Sequence, residues 1–503
     1  MTSRRYLPDL LSLTSAVAVT RFVFRSHLLY DLDSVDFALG MRRFDPHVYQ
    51  PHPPSYFLYV CLGRLLNLIF HDANLSLVVL SILASCGVVV VIYQIALDWF
   101  GQSAARFAGI LFLFSPLAWF HGTVALTYIV EAFFSALLGY LCWRVYCGDE
   151  KFALPVSIFL GLSAGVRPSS FLFLLPLCLF SLRRIATWRI ILALTVLALV
   201  LLSWFVPMII ASGGLASYFG ALSQLWKAQA EKTTIFNSSP TYSIARAFTI
   251  AFIYFLLFGA ACLAPFAKVV RTSAIDPRKT RFTLVWIIPG LCFFTFIFLR
   301  FVNSGYLLLF CAPACVWLGF WTSEWYTHAT LRKPLKIVTI SIGCIANIVI
   351  FLFAPLYCSY GQVRRFESEL RSIQAALPQI GSSSNTLIVS YDSHFLGFRH
   401  AGYYLPDYLN LEYPEINVRG STRVFSMQGR DTRLLTQLPA SYSQFVLFPL
   451  PAQGKVYQKY QQTILAKLPT KTLRTIRLNG HDFVTGPATD LPFLFPKLAA
   501  TSK

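Results

Sequence analysis

The chain has 503 residues, 56% of them hydrophobic and only 13% charged, with a mean hydropathy of +0.59 and a net charge of +20. A water-soluble domain carries roughly 25% charged residues, so the composition excludes an ordinary soluble globule. The basic excess sits in short clusters between apolar runs, without a basic helix or an aromatic-interleaved patch. That excludes nucleic acid as the partner and favours anionic headgroups and a phosphate-bearing ligand.

In chain order, Arg4 and Arg5 precede an apolar stretch with no small-residue cleavage site, which reads as an anchor helix rather than a removed signal peptide. A spanning helix needs about 20 mostly apolar residues. Candidate spans fall at 9–26, 74–98, 103–120, 126–146, 152–166, 169–182, 190–212, 243–267, 282–300, 305–325 and 335–357, predicting about eleven helices. The 152–166 and 169–182 pair is short and reads as a hairpin pinched at Arg167-Pro168. Segment 54–71 opens with two prolines and carries Arg64, so it is expected to start at the prolines and lie along the interface.

Lysine and arginine are commoner in alternate loops, which puts the N-terminus in the cytoplasm. Loop 27–73, loop 213–242 and the tail after 358 then lie outside. The tail gains charge, proline and glycine, with a helical pattern at 362–377 and alternating runs at 386–390 and 445–448. The expected fold is therefore an α-helical polytopic membrane domain over 1–357 and a small extracytoplasmic α/β domain over 358–503. Compact loops suggest a bacterial inner membrane. The 11 cysteines are scattered, with none after Cys358 and no zinc spacing, and read as inert thiols.

Acidic residues are scarce before the tail, yet Asp31, Asp33, Asp36 and Asp45 crowd into one outer loop. Carboxylates at a membrane surface mark a functional site by default. Asp33 and Asp36 are three apart, which on a helix puts them on one face. Such a pair can accept a proton from a hydroxyl or hold a divalent cation together with His52. The plainer reading, strongest for Asp31 and Asp45, is a solvated loop with a helix cap. His47 and His52 are equally readable as phosphate or metal ligands and as structural histidines.

The stretch Asp33-Ser-Val-Asp-Phe37, followed by His52-Pro-Pro-Ser-Tyr-Phe-Leu-Tyr59, resembles the first loop of the GT-C glycosyltransferase superfamily. It is most similar to bacterial protein O-mannosyltransferase-like proteins, whose pattern is Asp-Ser-Gly-Glu-Phe and then His-Pro-Pro-Gly-Tyr-Pro-Leu-Tyr. Here Val35 replaces Gly, Asp36 replaces Glu, Ser55 replaces Gly and Phe57 replaces Pro. Ser115-Pro116, Thr127-Tyr-Ile-Val-Glu131, Gly165-Val-Arg-Pro168 and Gly305-Tyr-Leu-Leu308 resemble further family segments.

The resemblance implies sugar transfer from a polyprenyl-phosphate donor to an acceptor hydroxyl at the extracytoplasmic face. Asp33 or Asp36 is then the catalytic base. His52, Tyr56, Glu131 and Tyr306 are expected to contact substrate. Arg167 and Arg300 are expected to bind the donor phosphate, since guanidinium pairs with phosphate oxygens bidentately. No cofactor is certain, and a divalent cation at Asp33, Asp36 and His52 is the one candidate. The alternatives are an envelope polysaccharide polymerase or ligase, expected to keep its main loop late in the chain, and a lipid-linked sugar flippase, expected to carry charge within its spans and related halves.

Overall fold

The computed structural model describes residues 4–183, 185–229, 234, 236, 244–245, 248, 276–298, 304–417, 423–449 and 455–500. The expected span at 243–267, apart from residues 244–245 and 248, and Arg300 lie outside the described residues.

The helices run, in chain order, Leu7–Val23 (α1), Leu32–Arg42 (α2), Phe57–Phe70 (α3), Ala73–Phe100 (α4), Gln102–Leu113 (α5), Pro116–His121 (α6), Tyr128–Tyr146 (α7), Ala153–Val166 (α8), Pro168–Leu182 (α9) and Thr187–Ala211 (α10). They continue with Leu215–Gln229 (α11), Pro277–Cys292 (α12), Cys311–His328 (α13), Lys333–Phe353 (α14), Tyr360–Ile380 (α15), Phe398–Tyr404 (α16) and Lys455–Leu465 (α17). The chain folds as two compact units. One holds residues 1–26, 56–210 and 232–363, and the other 27–55, 211–231 and 364–503.

The first unit is a helical bundle. Among the described residues, six helical segments are long and apolar enough to cross a membrane: Ala73–Phe100, Tyr128–Tyr146, Thr187–Ala211, Pro277–Ile297, Ser304–His328 and Lys333–Phe353. Segments α4 and α7 are largely buried and form the bundle interior, with α13 packed on α4 and α5, and α8 and α9 on α7. By contrast α10 and α14 expose long apolar flanks, including Ile191, Leu199, Ile210, Ile342, Ile345 and Phe353. Helices hydrophobic all round with one bare apolar side are lipid-facing spans. The chain is a multi-pass membrane protein.

Several expected boundaries are corrected. The single span at 103–120 is two helices. Ser115 accepts a hydrogen bond from the Ala118 amide and Pro116 supplies no N–H, so the chain restarts as α6. The late span at 305–325 opens as a 3₁₀ turn, Ser304–Phe310, before α13. The double proline does not begin α3, because Ser55 (φ 83°) and Tyr56 (φ 46°) turn the chain left-handed first.

The second unit carries a seven-stranded sheet of order β4-β3-β2-β1-β5-β7-β6. Its strands are Thr386–Asp392 (β1), Asn410–Asn417 (β2), Phe425–Gln428 (β3), Asp431–Leu434 (β4), Gln444–Leu447 (β5), Arg474–Leu478 (β6) and His481–Pro487 (β7). β1 is buried throughout and runs parallel to both β2 and β5, while the outer pairs are antiparallel. Leu387, Val389, Leu411, Phe445 and Leu447 pack with Ile464 and Leu468 into its core. With β2 and β5 on either side of it, the carboxyl end of β1 is where an α/β sheet offers a binding crevice. Helix α16 begins there and packs on α2.

Candidate functional site

The carboxylate loop belongs to the second unit, with the sheet domain. Asp31 is the N-cap of α2, and its side chain accepts from the Asp33 amide at 2.9 Å. Asp45 caps the next turn by accepting from the His47 amide at 3.1 Å. Both therefore do the plainer job weighed for them. With α2 started by Asp31, Asp33 and Asp36 fall on neighbouring turns and converge on one imidazole. His52 Nδ1 lies 3.3 Å from Asp36 Oδ2 and 3.6 Å from Asp33 Oδ1.

The two carboxylates differ in setting. The Asp36 side chain is fully buried and lies 3.4 Å from the Arg399 guanidinium, itself fully buried. Arg399 also donates to Val48 O at 2.7 Å and to Thr432 Oγ1 at 3.1 Å, and Gln50 donates to that same hydroxyl at 2.7 Å. A carboxylate only accepts, so His52 Nδ1–H points at Asp36. The Asp33 side chain is 24% exposed. His400, next to Arg399, is buried against Tyr30 O at 3.2 Å, and burial pushes its pKa down to about 4. Sequence reasoning missed Arg399, His400 and Thr432 because nothing local distinguishes them from other tail residues.

Asp33, Asp36 and His52 each offer one ligand atom, all within 4.8 Å of one another. That donor set suits a divalent cation. Arg399 already sets a positive charge against Asp36, however, so a cation bound there meets repulsion as well as attraction.

The other expected residues form a second cluster, in the first unit. Arg167 sits between α8 and α9 in extended conformation, with Pro168 as the first residue of α9. Its Nε lies 3.1 Å from Glu131 Oε2, with side chains 4% and 1% exposed. Thr127 Oγ1 accepts from Arg167 at 2.7 Å, and Ser170 Oγ donates to Glu131 Oε1 at 2.9 Å. The guanidinium carbon stands 4.4 Å from the Tyr128 ring, 4.6 Å from Tyr306 and 5.8 Å from Tyr56. Of the four residues picked out separately, Glu131 and Arg167 form one charge pair, and Tyr56 and Tyr306 stand beside it.

Gly305 explains how Tyr128 reaches that position. A Cβ there would lie 2.3 Å from Tyr128 Cγ and 2.7 Å from His121 Cε1. His121 is buried, neither ring nitrogen has a hydrogen-bond partner among the described residues, and burial followed by the Arg167 charge lowers its pKa to about 3. It stays neutral beside the pair.

The fold has solved counterparts. The chain matches the crystal structure of ArnT from Cupriavidus metallidurans bound to undecaprenyl phosphate with a TM-score of 0.58 and 13% identity, over 96% of this chain and 98% of that one. Apo ArnT matches with a TM-score of 0.57 and 13% identity, over 95% and 98%. The apo oligosaccharyltransferase of Archaeoglobus fulgidus matches at a TM-score of 0.46 and 12% identity, over 81% and 64%. No family model and no curated protein matches the chain. The near end-to-end match to ArnT is a likeness of fold. Taken with the apolar spans and the small sheet domain, it assigns the chain a GT-C-type fold.

Proposed function

We propose that this chain is a membrane glycosyltransferase that moves a sugar from a polyprenyl-phosphate carrier to an acceptor hydroxyl at the extracytoplasmic face. One observation carries the reading: on a chain with the ArnT fold, Asp33, Asp36 and His52 converge in the loop that resembles the GT-C motif. The binding of undecaprenyl phosphate by ArnT supports a carrier of that class.

In this reading the acceptor oxygen attacks the anomeric carbon. The bond from that carbon to the carrier phosphate breaks, and polyprenyl phosphate leaves with the electron pair. The acceptor's proton passes to a carboxylate. Asp33 is the better base, since it is partly exposed and a base must reach the proton it takes. Asp36, buried against Arg399, acts by orienting His52.

Arg167 serves the leaving phosphate, with Glu131 holding its planar head and the tyrosine rings walling it. Tyr56 and Tyr306 complete that wall. Arg300 shares the phosphate role on the sequence argument alone. If a divalent cation is used, Asp33, Asp36 and His52 hold it, and it supplies charge to the departing phosphate. Arg399 supplies positive charge to Asp36 without one, and we assign transfer to the metal-free state. EDTA treatment, leaving the rate unchanged, is the check. Hexosyl transfer of the O-mannosyl type is the finer assignment, read from the product formed with each carrier-linked sugar.

The test uses the full chain in nanodiscs with undecaprenyl-phosphate-linked sugars, scored by release of undecaprenyl phosphate and by product mass. Asp33→Asn is expected to lower transfer about 10²–10⁴-fold while the thermal melt stays in place. Arg167→Ala is expected to weaken carrier binding. Full transfer by Asp33→Asn removes the base assignment, and unchanged carrier affinity in Arg167→Ala removes the phosphate role. Cysteine-accessibility mapping of positions 31–59 tests the face.

A further inference from the structure

A cavity of about 210 Å³ lies in the second unit, apart from the carboxylates. One wall is a face of α11 made of small residues, including Ala216, Ser217, Gly220 and Ala221. Tyr49 and Phe425, whose rings meet edge to face at 5.9 Å, also line the cavity, as does Arg423. His47 and Gln224 bring polar groups to it. His47 is fixed there, with Nε2 3.0 Å from Ser212 O and 2.8 Å from Ser217 Oγ.

Two features point to an occupant. The first is Gly220, which lies inside a helix where glycine is the least favourable residue after proline. Among the described residues, a Cβ added there would meet nothing within 4 Å. Gly220 lies at the cavity's exposed side, where a longer side chain has room to enter. The second is the route to the carboxylates. Val48, between His47 and Tyr49, accepts a hydrogen bond from Arg399, which in turn pairs with Asp36. The cavity wall at His47 and Tyr49 is thus tied to Asp36 through Val48 and Arg399.

We infer that this cavity binds one sugar ring. A pyranose has an apolar C–H face and a rim of hydroxyls. Tyr49 and Phe425 match the first, and His47, Ser217 and Gln224 the second. The volume is below the roughly 300 Å³ of a drug-sized pocket, which suits a single ring better than an extended glycan. The inference rests on the glycosyltransferase reading and deepens it by giving that reaction a sugar subsite. The ring can come from the acceptor or from the donor.

The experiment is saturation-transfer NMR on the full chain in nanodiscs. The probes are methyl glycosides of glucose, mannose, N-acetylglucosamine and glucuronic acid at millimolar concentration. At least one glycoside is expected to bind, and Gly220→Leu, which puts a bulky side chain into the cavity lining, is expected to weaken it at least tenfold. Tyr49→Ala is the second variant and is expected to do the same. Excess undecaprenyl-phosphate-linked glucose displaces the glycoside if the subsite belongs to the donor, and leaves it bound if it belongs to the acceptor. Binding of undecaprenyl phosphate is measured alongside. If the carrier binds but no glycoside does, or if Gly220→Leu binds glycoside as wild type does, the sugar subsite is wrong. If the carrier itself fails to bind, the glycosyltransferase reading is what fails.

Discussion

Replacing Arg399 with glutamine tests whether the tail domain holds the carboxylate loop. Both side chains of the Asp36–Arg399 pair are fully buried, so water neither screens their attraction nor takes over when one partner is lost. Breaking a buried pair from one side costs about 3–5 kcal/mol, because a bare charge remains. Arg399 also serves Val48 O and Thr432 Oγ1, so the turn before His52 loses its anchor as well. If the second unit melts cooperatively, that cost is a fall in Tm on the order of 10 °C. The assay is thermal unfolding of the full chain in nanodiscs, with hydrogen exchange followed in peptides covering 30–42 and 386–404. Asp36→Asn alone should cost a similar amount, and the double variant less than the sum, because two neutral amides replace two opposed charges. The expected coupling is about 2 kcal/mol or more. Additivity within about 0.5 kcal/mol, or unchanged exchange at α2, refutes the account.

Three further outcomes follow from local geometry. Ser55 is held at φ 83° with a buried hydroxyl that has no hydrogen-bond partner among the described residues, so Ser55→Gly should raise stability by about 1 kcal/mol in a thermal melt. Gly305→Ala pushes a methyl into the Tyr128 ring and should cost about 1–3 kcal/mol while lowering carrier affinity; wild-type binding of undecaprenyl phosphate in this variant argues against the tyrosine wall. His400 has a folded pKa of about 4 against an ordinary 6.5, so the unfolded chain binds the extra proton as pH drops through that window. Stability should therefore fall on acidification from pH 7, by about 2 kcal/mol at pH 5, and His400→Gln should flatten that slope.

The way the site divides shows what could be read in advance. The carboxylate cluster stood out because charge is rare in an apolar chain, and the spacing of Asp33 and Asp36 does put them on adjacent turns of α2. The helix cap was readable as a role for Asp31, and the Asp33 amide that its side chain accepts from fixes it there. Glu131 and Arg167 were each picked out through separate segments that resemble the family. Their pairing was not visible, because α7 and the α8–α9 junction meet only in the folded bundle. Likewise Ser55 stood out only as a departure from the family pattern, and its left-handed backbone is a property of the completed loop.

What the amino-acid order settles unaided is the solvent. Apolar runs of spanning length cannot face water, and the shift to alternating, charged segments after residue 358 builds a sheet domain. Only the tertiary structure decides which charge answers which. Arg399 reaches Asp36 because α16 leaves the carboxyl end of β1 against α2, and no local pattern encodes a partner so distant along the chain. The same packing buries one carboxylate of the pair and leaves the other within reach, since burial depends on what the rest of the chain places on top.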